Sequence, residues 1–285
     1  MPATLLDGKV IAQGIKEGLA KEIQALKEKG KTPKLVAVQV GENPASAVYL
    51  KSQAKTAEAL GITYELITLD KTIKEEELIK KISELNKDSK VGGVILQLPL
   101  PEHINARRVI CHINPAKDVE GMHPENLGRL LLAEAKVAPC TPLAVMELIK
   151  STGVNLYGKE VVVVGHSEIV GKPLSLLLLK EFATTTVCHI GTGQRGILPE
   201  HVKRAEILVV AVGKASLVKG EWIKEGAIVI DVGINKVGDK IVGDVEFEVA
   251  KERASYITPV PGGVGPLTVT MLMRNLVEAV KLQMP

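Results

Sequence analysis

Short runs of β-branched and apolar residues alternate with helical patterns along the chain, and this alternation restricts the fold more than any other feature. Seven runs predict strands, at 35–40, 62–69, 91–98, 161–164, 184–190, 207–212 and 227–232. Helix-period patterns occupy 9–29, 44–60, 74–87, 142–152, 171–182 and 266–283. Several strands are apolar without alternation, as is typical of strands covered on both faces. The pattern predicts βαβ units, and therefore an α/β fold with mainly parallel sheets.

Length and composition exclude several classes of protein. The 285 residues are enough for two domains with separate cores. With 36 basic against 33 acidic side chains and only 2% aromatics, no nucleic-acid partner is expected. No apolar run approaches the roughly 20 residues that cross a bilayer, so no membrane partner is expected either. The chain has three cysteines without a C-x-x-C pair and an N-terminus without a signal pattern, which together predict a cytoplasmic protein. The six histidines lack metal-ligand spacing, so no metal site is expected.

Two segments rich in proline predict where the domains divide. The first is PCTP at 139–142, and the second is PVPGGVGP at 259–266, where regular structure is not expected. We expect a first domain over 1–141, completed by a C-terminal helix over 264–285, and a second domain over 142–263.

The turn GHSEIVGKP, at 165–173, directly follows a buried strand and precedes a helix. Gly165 permits a tight turn, Gly171 permits close packing, and the helix N-terminus offers N–H groups to an anion such as a pyrophosphate. The pattern is not G-x-G-x-x-G, so an ordinary βα turn without a ligand remains an alternative. The next strand ends without the acid that would bind a ribose, so neither NAD nor NADP is selected; Arg195 or His166 could meet a 2′-phosphate or simply be solvated.

Two further segments suggest a ligand. PGGVGPLTV, at 261–269, would let the backbone approach a flat molecule closely, although it could instead be a linker between domains. In the predicted helix 44–60, Tyr49 and Gln53 are four residues apart and share one face, whereas Lys51 and Lys55 point elsewhere and are expected in solvent. Tyr49 could equally be a core residue.

Taken together, these motifs resemble the methylenetetrahydrofolate dehydrogenase/methenyltetrahydrofolate cyclohydrolase family over essentially the full length of the chain. The matching segments, in order, are EEELIKKISELNKDSKVGGVILQLPL (75–100), KDVEGMHPENLGRLL (117–131), PCTP (139–142), GHSEIVGKP (165–173), DVGIN (231–235) and PGGVGPLTV (261–269). Several long motifs in register are far more specific than any one of them.

The resemblance implies two α/β domains with a cleft between them, a folate on the N-terminal domain and a nicotinamide cofactor on a Rossmann-like domain. It implies hydride transfer from 5,10-methylene-tetrahydrofolate to NAD(P)+, which gives the methenyl cation, and many family members then hydrolyse that cation to 10-formyl-tetrahydrofolate. A homodimer formed through the Rossmann-like domain is also implied.

The resemblance also carries site residues onto this sequence. The implied catalytic residues are Tyr49, Gln53, Gln97 and Glu120. The implied folate contacts are Ser46, Tyr49, Leu98, Pro99, Pro261, Gly262 and Gly263. The implied dinucleotide contacts are Thr141, Gly165, His166, Ser167, Ile169, Val170, Gly171, Pro173, Ile190, Val212, Gly213, Gly233 and Ile234.

Four of these positions depart from the family pattern. Gln53 replaces a lysine assigned to hydrolysis, and because an amide does not titrate, we hypothesise that dehydrogenase activity survives while cyclohydrolase activity is weak or absent. Glu120 stands where an aspartate is usual. His166 replaces a frequent Arg and Ile190 a frequent Ser, and the loop after Ile190 looks long, so either NADP or NAD is expected as the cofactor.

Three alternatives stay open at this point. The protein could be fully bifunctional, with another group doing the work of the missing lysine. It could be a non-catalytic folate or dinucleotide sensor. It could also be a Rossmann dehydrogenase for another small substrate, which the folate-side motifs disfavour.

Overall fold

The computed structural model describes residues 2–284, apart from the side chains of residues 44 and 45. Its strands are β1 (Thr4–Leu5), β2 (Lys34–Val40), β3 (Thr63–Leu69), β4 (Gly93–Leu96), β5 (Glu160–Val164), β6 (Thr184–Cys188), β7 (Ile207–Val210), β8 (Ile228–Asp231), β9 (Asn235–Val237), β10 (Lys240–Val242) and β11 (Tyr256–Ile257). Its α-helices are α1 (Gly8–Glu28), α2 (Pro44–Ala59), α3 (Glu75–Lys87), α4 (Ala106–Ile110), α5 (Pro124–Leu131), α6 (Cys140–Ser151), α7 (Gly171–Lys180), α8 (Ile190–Gln194), α9 (Leu198–Arg204), α10 (Phe247–Arg253) and α11 (Val264–Leu282). The α/β fold expected from the alternating pattern is confirmed.

The chain divides into two compact units. The six-stranded unit comprises the chain up to Gln13 together with Thr141–Thr268, and the three-stranded unit comprises Gly14–Cys140 together with the chain from Val269 onward. This division differs from the expected domains at both ends. Residues up to Gln13 were expected in the first domain but belong to the six-stranded unit, because β1 pairs in parallel with β11 of that unit. At the other end, the division falls within α11, after Thr268, rather than before that helix.

The six-stranded unit is built on one parallel sheet in the order β1-β11-β8-β7-β5-β6. Strand β5, which lies between β7 and the edge strand β6, contains four consecutive valines, of which Val161, Val162 and Val163 are completely buried, as is typical of strands covered on both faces. The chain continues from β5 to β6 on one side and then returns to β7 on the other. The order of strands therefore reverses at β5, which is where open α/β sheets form a ligand crevice at the carboxyl ends of their strands.

The three-stranded unit is built on a parallel sheet in the order β3-β2-β4. The central strand β2 is buried along nearly its whole length, whereas the edge strand β3 alternates between more and less exposed residues. The burial of β2 matches its apolar sequence without alternation, as is typical of a strand covered on both faces.

The last helix holds a loop of the three-stranded unit in place. On α11, the buried Asn275 donates from Nδ2 to the carbonyl oxygens of Val119 and Ala138, at 2.9 and 2.8 Å. Leu276 of the same helix leaves no room for a Cβ at Gly93, since that atom would lie 2.8 Å from the leucine Cδ1. The second half of α11 is therefore a structural part of this unit.

Two expectations about irregular segments are wrong. The segment after Ile190, expected as a long loop, contains α8 and α9. His189 ends the preceding strand early because it caps α8: its Nδ1 accepts from the Gly191 N–H, while Thr192 Oγ1 accepts from the His189 N–H. The segment 259–266 is not wholly irregular either, since α11 begins at Val264.

Candidate functional site

A cavity of about 600 Å³ opens at the carboxyl ends of β5 and β7, at the point where the strand order reverses. The turn after β5 forms one wall. Gly165 has a φ of +127°, and a Cβ there would lie 2.3 Å from the Ala211 carbonyl oxygen; a Cβ at Gly171 would lie 2.0 Å from the Gly165 oxygen. Both glycines are required for this close packing, as the sequence indicated.

The cavity brings together part of the expected dinucleotide set. Gly165, His166, Ser167, Ile190 and Val212 line it. The expected residues that do not line it are Thr141, Ile169, Val170, Gly171, Pro173, Gly213, Gly233 and Ile234. Of these, Val170 supports the turn instead, because its N–H donates to Ser167 Oγ at 3.1 Å.

Sequence reasoning missed several lining residues. The missed residues are Val164, His189, Gly193, Gln194, Leu198, Ala211, Lys214 and Leu217. Gly193, Gln194 and Leu198 were missed because their segment was expected to be a loop. Arg195, offered as a possible phosphate ligand, ends α8 and does not line the cavity.

Two histidines face each other at the adenosine side of the expected site. The rings of His166 and His189 pack edge to face with centroids 5.3 Å apart. Because His189 Nδ1 accepts the capping hydrogen bond, its Nε2 carries the proton and is the atom that can donate to a ligand. Ile190, next along the chain, is 74% exposed. No carboxylate is present among these lining residues.

The expected folate residues of the three-stranded unit gather around α2. Tyr49 is half-buried and Gln53 is completely buried, on one face of that helix. Burial raises the pKa of Tyr49 far above its usual value, the nearby Cys140 and Glu120 raise it further, and the Gln53 amide opposes the rise. The phenol is therefore neutral throughout the physiological range. As expected, Lys51 and Lys55 are exposed.

Gln97, Ser46 and Leu98 meet at the carboxyl end of β4. The Leu98 carbonyl oxygen accepts from Gln97 Nε2 at 3.0 Å and from Ser46 Oγ at 3.3 Å. Pro99 follows through a cis peptide bond and is exposed. The contact fixes the Gln97 amide so that its Oε1 is turned away from the carbonyl.

Two polar atoms of this region are buried without a hydrogen-bond partner in the described structure: Gln53 Nε2, a donor, and Gln97 Oε1, an acceptor. Elsewhere in the described residues only His201 Nδ1 shares this state. Buried polar groups are satisfied in nearly all native structures, so unsatisfied ones require an explanation. A polar ligand that supplies an acceptor to Gln53 and a donor to Gln97 would satisfy both atoms.

Glu120 supplies a titratable group to the same region. Burial raises the pKa of Glu120 to about 8, and the neighbouring Asp118 adds to the rise. Asp118 is itself buried and accepts from the His123 N–H at 2.7 Å and from Asn126 Nδ2 at 2.9 Å. The region thus holds a carboxyl group that gains and loses a proton near neutral pH.

Pro261, Gly262 and Gly263, the other expected folate contacts, belong to the six-stranded unit. Backbone conformation and packing within this unit require both glycines. Gly262 has a φ of +119°, and its carbonyl accepts from the Gly8 N–H at 3.0 Å; a Cβ at Gly263 would lie 2.6 Å from Thr258 Cβ. The sequence pattern that suggested a ligand wall therefore also serves packing at the start of α1.

Within the described residues, no group of three or more His, Cys, Asp or Glu side chains is arranged to hold a metal ion. No helix in this part of the chain is both long enough and apolar enough to cross a bilayer.

Two family models match the chain. Residues 6–120 match the tetrahydrofolate dehydrogenase/cyclohydrolase catalytic domain, and residues 139–284 match the NAD(P)-binding domain of the same proteins. A curated relative, the bifunctional protein FolD of Bacillus pumilus, is 53% identical over 282 residues, which cover 99% of both chains.

Solved structures agree with these matches. The bifunctional FolD methylenetetrahydrofolate dehydrogenase/cyclohydrolase of Campylobacter jejuni is 45% identical with a TM-score of 0.95, over 99% of this chain and 100% of that one. The FolD enzyme of Trypanosoma brucei, solved with NADP and an inhibitor, is 39% identical with a TM-score of 0.94 over 99% of each chain.

Proposed function

The chain belongs to the tetrahydrofolate dehydrogenase/cyclohydrolase family, and from that membership we propose that it is a bifunctional enzyme of folate one-carbon metabolism. It oxidises 5,10-methylene-tetrahydrofolate to the methenyl cation by hydride transfer to NAD(P)+ and hydrolyses that cation to 10-formyl-tetrahydrofolate. The observation that carries the proposal is the pair of unpartnered polar atoms in the catalytic domain, Gln53 Nε2 on α2 and Gln97 Oε1 at the end of β4. A pterin, whose ring edge carries both donors and acceptors, can satisfy both.

The hypothesis that hydrolysis is weak or absent because Gln53 replaces a lysine is not supported by the relatives. A protein 53% identical over nearly the whole chain is named as bifunctional. The alternative set out above, in which another group does the work of the lysine, is therefore the better reading. Gln53 remains unable to carry a proton, since an amide donates and accepts hydrogen bonds without titrating near neutral pH.

Glu120 is the group we assign to this work. Hydrolysis starts when water adds to the methenyl carbon and passes a proton to the Glu120 carboxylate. That proton then goes to N5 as the C–N5 bond breaks, and the carbon-bound hydroxyl releases its own proton to solvent as the formyl group forms on N10. A carboxylate with a pKa of about 8 is a stronger base than an ordinary glutamate, and it is still ionised in a useful fraction at neutral pH.

Dehydrogenation makes different demands on the protein. The hydride leaves as the carbon becomes a cation, so no proton has to move and positioning carries much of the rate. In this proposal Tyr49, Ser46, Leu98, Pro99, Pro261, Gly262 and Gly263 contact the folate, while Gln97 contacts the reacting end. Because Tyr49 stays neutral, it offers an uncharged ring face and a hydroxyl donor to the ligand.

For the cofactor we propose either NADP or NAD, bound in the cavity at β5 and β7. The match to an NAD(P)-binding domain and the NADP complex of the Trypanosoma brucei relative support a dinucleotide. The proposed contacts are the separate residues that the family resemblance implies for the dinucleotide, of which Thr141 is the first along the chain and Ile234 the last. His166 and exposed Ile190 offer no guanidinium fork to a 2′-phosphate, which supports relaxed selectivity rather than a strict choice of NADP.

We further propose a homodimer formed through the six-stranded unit. β6 lies at the edge of the sheet, and beside it the rings of Tyr157 and Phe182 pack 5.8 Å apart although each is 72% exposed. Leu179 extends this apolar surface. An exposed apolar patch next to an unpaired strand edge is typical of a protein interface, and a second copy of the chain offers a matching patch.

The three cysteines are free thiols, which supports a cytoplasmic location.

A paired spectrophotometric assay tests the proposed activities. Purified protein is given methylene-tetrahydrofolate with NADP+ or NAD+, and separately methenyl-tetrahydrofolate alone, with spontaneous hydrolysis subtracted. We expect turnover in both assays. Turnover in the first alone would return the assignment to a monofunctional dehydrogenase, and tight dinucleotide binding without turnover in either would favour a sensor.

A further inference from the structure

Two buried carboxylates lie directly beneath the loops that follow β7 and β8. Asp231, the last residue of β8, is 4% exposed, and Asp244, which follows β10, is completely buried. Neither was predicted as a site residue from the sequence. Both belong to the six-stranded unit, and their hydrogen bonds run to the loops at its ligand edge.

Asp244 binds three consecutive backbone N–H groups. Its Oδ2 accepts from Val212 at 2.7 Å and Gly213 at 2.9 Å, and its Oδ1 accepts from Lys214 at 2.8 Å. Oδ1 also accepts from Asn235 Nδ2 at 2.9 Å. Three successive N–H groups converging on one carboxylate fix the conformation of that loop. Val212 and Lys214 line the dinucleotide cavity.

Asp231 holds Asp244 in turn. Its Oδ1 accepts from the N–H groups of Gly233 at 2.9 Å and Asp244 at 3.0 Å, and its Oδ2 accepts from Val245 at 2.8 Å. Its own N–H donates to the buried Thr258 at 2.7 Å. Burial raises the pKa of Asp231 to about 6, against the opposing effect of its three backbone donors, so the carboxylate is ionised at neutral pH.

The backbone around the two carboxylates has no space for side chains. A Cβ at Gly243 would lie 1.9 Å from Asp231 Oδ2, and a Cβ at Gly233 would lie 2.3 Å from Asp244 Oδ1. The two loops and the two carboxylates therefore form one packed network, which we call the aspartate pair network: Asp231, Asp244, Asn235 and the loop residues Val212–Lys214 and Gly233.

A buried pair of like charges is costly for stability alone. Apolar residues would avoid that penalty but would leave the backbone N–H groups of the two loops without acceptors, so the carboxylates are explained by the loops that they hold. The carboxylates accept hydrogen bonds from N–H groups of two loops at the edge of the sheet where the dinucleotide is expected. Loop geometry at such a site must hold to a fraction of an ångström, and it is then fixed by residues that do not touch the ligand.

We propose that Asp231 and Asp244 are positioning residues for the dinucleotide, which set the conformation of the loops after β7 and β8 and so determine cofactor affinity. The inference rests on the proposed function only in taking the ligand to be a dinucleotide. Neither carboxylate contacts the ligand, and each acts through the backbone of the loop that it holds.

The test is the variant D244N, assayed with NADP+ and with NADPH. An amide keeps one acceptor oxygen but turns an NH₂ group towards backbone donors, so the loop loses its fixed shape. We expect the KM for NADP+ and the Kd for NADPH, measured by nucleotide fluorescence, to rise about tenfold, the effect of losing one charge-assisted hydrogen bond. The KM for methylene-tetrahydrofolate should stay within twofold, and D231N should act in the same direction.

The matched control is E246Q. Glu246 Oε2 also accepts a backbone N–H, from Gly220 at 3.1 Å, but Gly220 does not line the cavity. This variant should lower the melting temperature without changing the Kd for NADPH. If D244N does not fold, N235A serves instead, because it leaves the carboxylate and removes its side-chain donor, together with a 3.3 Å hydrogen bond to the Val242 carbonyl oxygen. A threefold to tenfold rise in Kd is then expected.

The outcomes separate this inference from the proposed function. A folded D244N or N235A whose NADPH affinity is within twofold of wild type overturns the positioning role, even if both enzyme activities are present. If wild type lacks both activities but D244N still weakens NADPH binding, the proposed function fails and the positioning role stands. Weakened NADPH binding in E246Q as well would show a general loss of stability, which also overturns the inference.

Discussion

The hydroxyl of Tyr64 donates to Oε1 of Gln53 at 3.1 Å, and this contact decides which end of the Gln53 amide is left without a partner. With the oxygen occupied, the buried Nε2 is the free group, and Gln53 acts as a donor. Tyr64 lies on the edge strand β3 and contacts the candidate site through this amide.

The first prediction concerns this contact. In Y64F, Gln53 Oε1 loses its donor and the amide is free to turn over, so the folate should meet an acceptor where it met a donor. We expect the KM for methylene-tetrahydrofolate to rise about tenfold, in line with an unsatisfied buried group, while the KM for NADP+ stays constant. Y256F, a tyrosine of the six-stranded unit, is the matched control and should change neither. Unchanged folate kinetics in Y64F would show that the amide orientation is irrelevant.

The second prediction concerns the pH dependence of hydrolysis. Because the basic form of Glu120 is the ionised one and its pKa is about 8, the enzymatic cyclohydrolase kcat should rise with pH and level off above about 8. In E120Q it should fall by at least about 100-fold and lose this dependence. The measurement is kcat between pH 6 and 9 after subtraction of the spontaneous rate. A wild-type profile that falls through pH 8 would instead assign Glu120 as an acid.

The third prediction concerns stability and needs no activity. The folded-state pKa of Glu120 lies above its ordinary value, so the folded protein holds this proton more tightly than the unfolded chain does. The contribution of this tighter proton binding to the free energy of unfolding is fully present at acid pH and is lost as the pH rises towards 8. Urea unfolding of wild type and E120Q at pH 6 and pH 9 should therefore show wild type losing stability relative to the variant. An equal difference at both values would mean that Glu120 titrates normally.

The fourth prediction concerns cofactor choice. Restoring a guanidinium in H166R gives a 2′-phosphate a planar, bidentate partner, which we expect to raise the ratio of kcat/KM for NADP+ over NAD+ about tenfold. H166K supplies the charge without the fork and should give a smaller change. A wild-type enzyme that already prefers NADP+ strongly, and that H166R leaves unaltered, would exclude His166 from cofactor selection.

The fifth prediction concerns assembly. Phe182 and Tyr157 form the exposed apolar surface beside β6, so a charge in F182D should prevent two copies from meeting there. Light scattering after size exclusion should give a dimer for wild type and a monomer for F182D. V48D, which replaces an exposed residue of the three-stranded unit, is the control and should remain a dimer.

The fold was predictable where local pattern determines it. Consecutive valines at 161–164 predict a strand covered on both faces. Gly165 and Gly171 indicate the turn at the end of that strand. β1 escaped notice because it has two residues and exists through pairing with β11, about 250 positions away along the chain. α8 was not predicted because a histidine side chain caps its N-terminus, whereas Ser, Thr, Asn or Asp is the usual sequence signal for a cap.

The candidate site was predictable only through family resemblance. The helical spacing of Tyr49 and Gln53 places them on one face, but no local pattern brings Glu120 into electrostatic reach of Tyr49. Asp231 and Asp244 illustrate a different limit. Asp231 ends an apolar strand and Asp244 follows Gly243 in a turn, both ordinary settings for an acid, and the importance of Asp244 lies in N–H groups contributed by a distant loop.

The anchoring of the Glu120 loop by Asn275 has a consequence for biosynthesis. A ribosome delivers residues in order, so Val119 and Ala138 emerge long before the helix that supplies their shared donor. A nascent chain released before α11 is made has no group to tie that loop down. The Glu120 loop therefore acquires its final setting only after α11 has been made, and deletions within α11 that remove Asn275 should abolish the proposed hydrolysis before they disturb the six-stranded sheet.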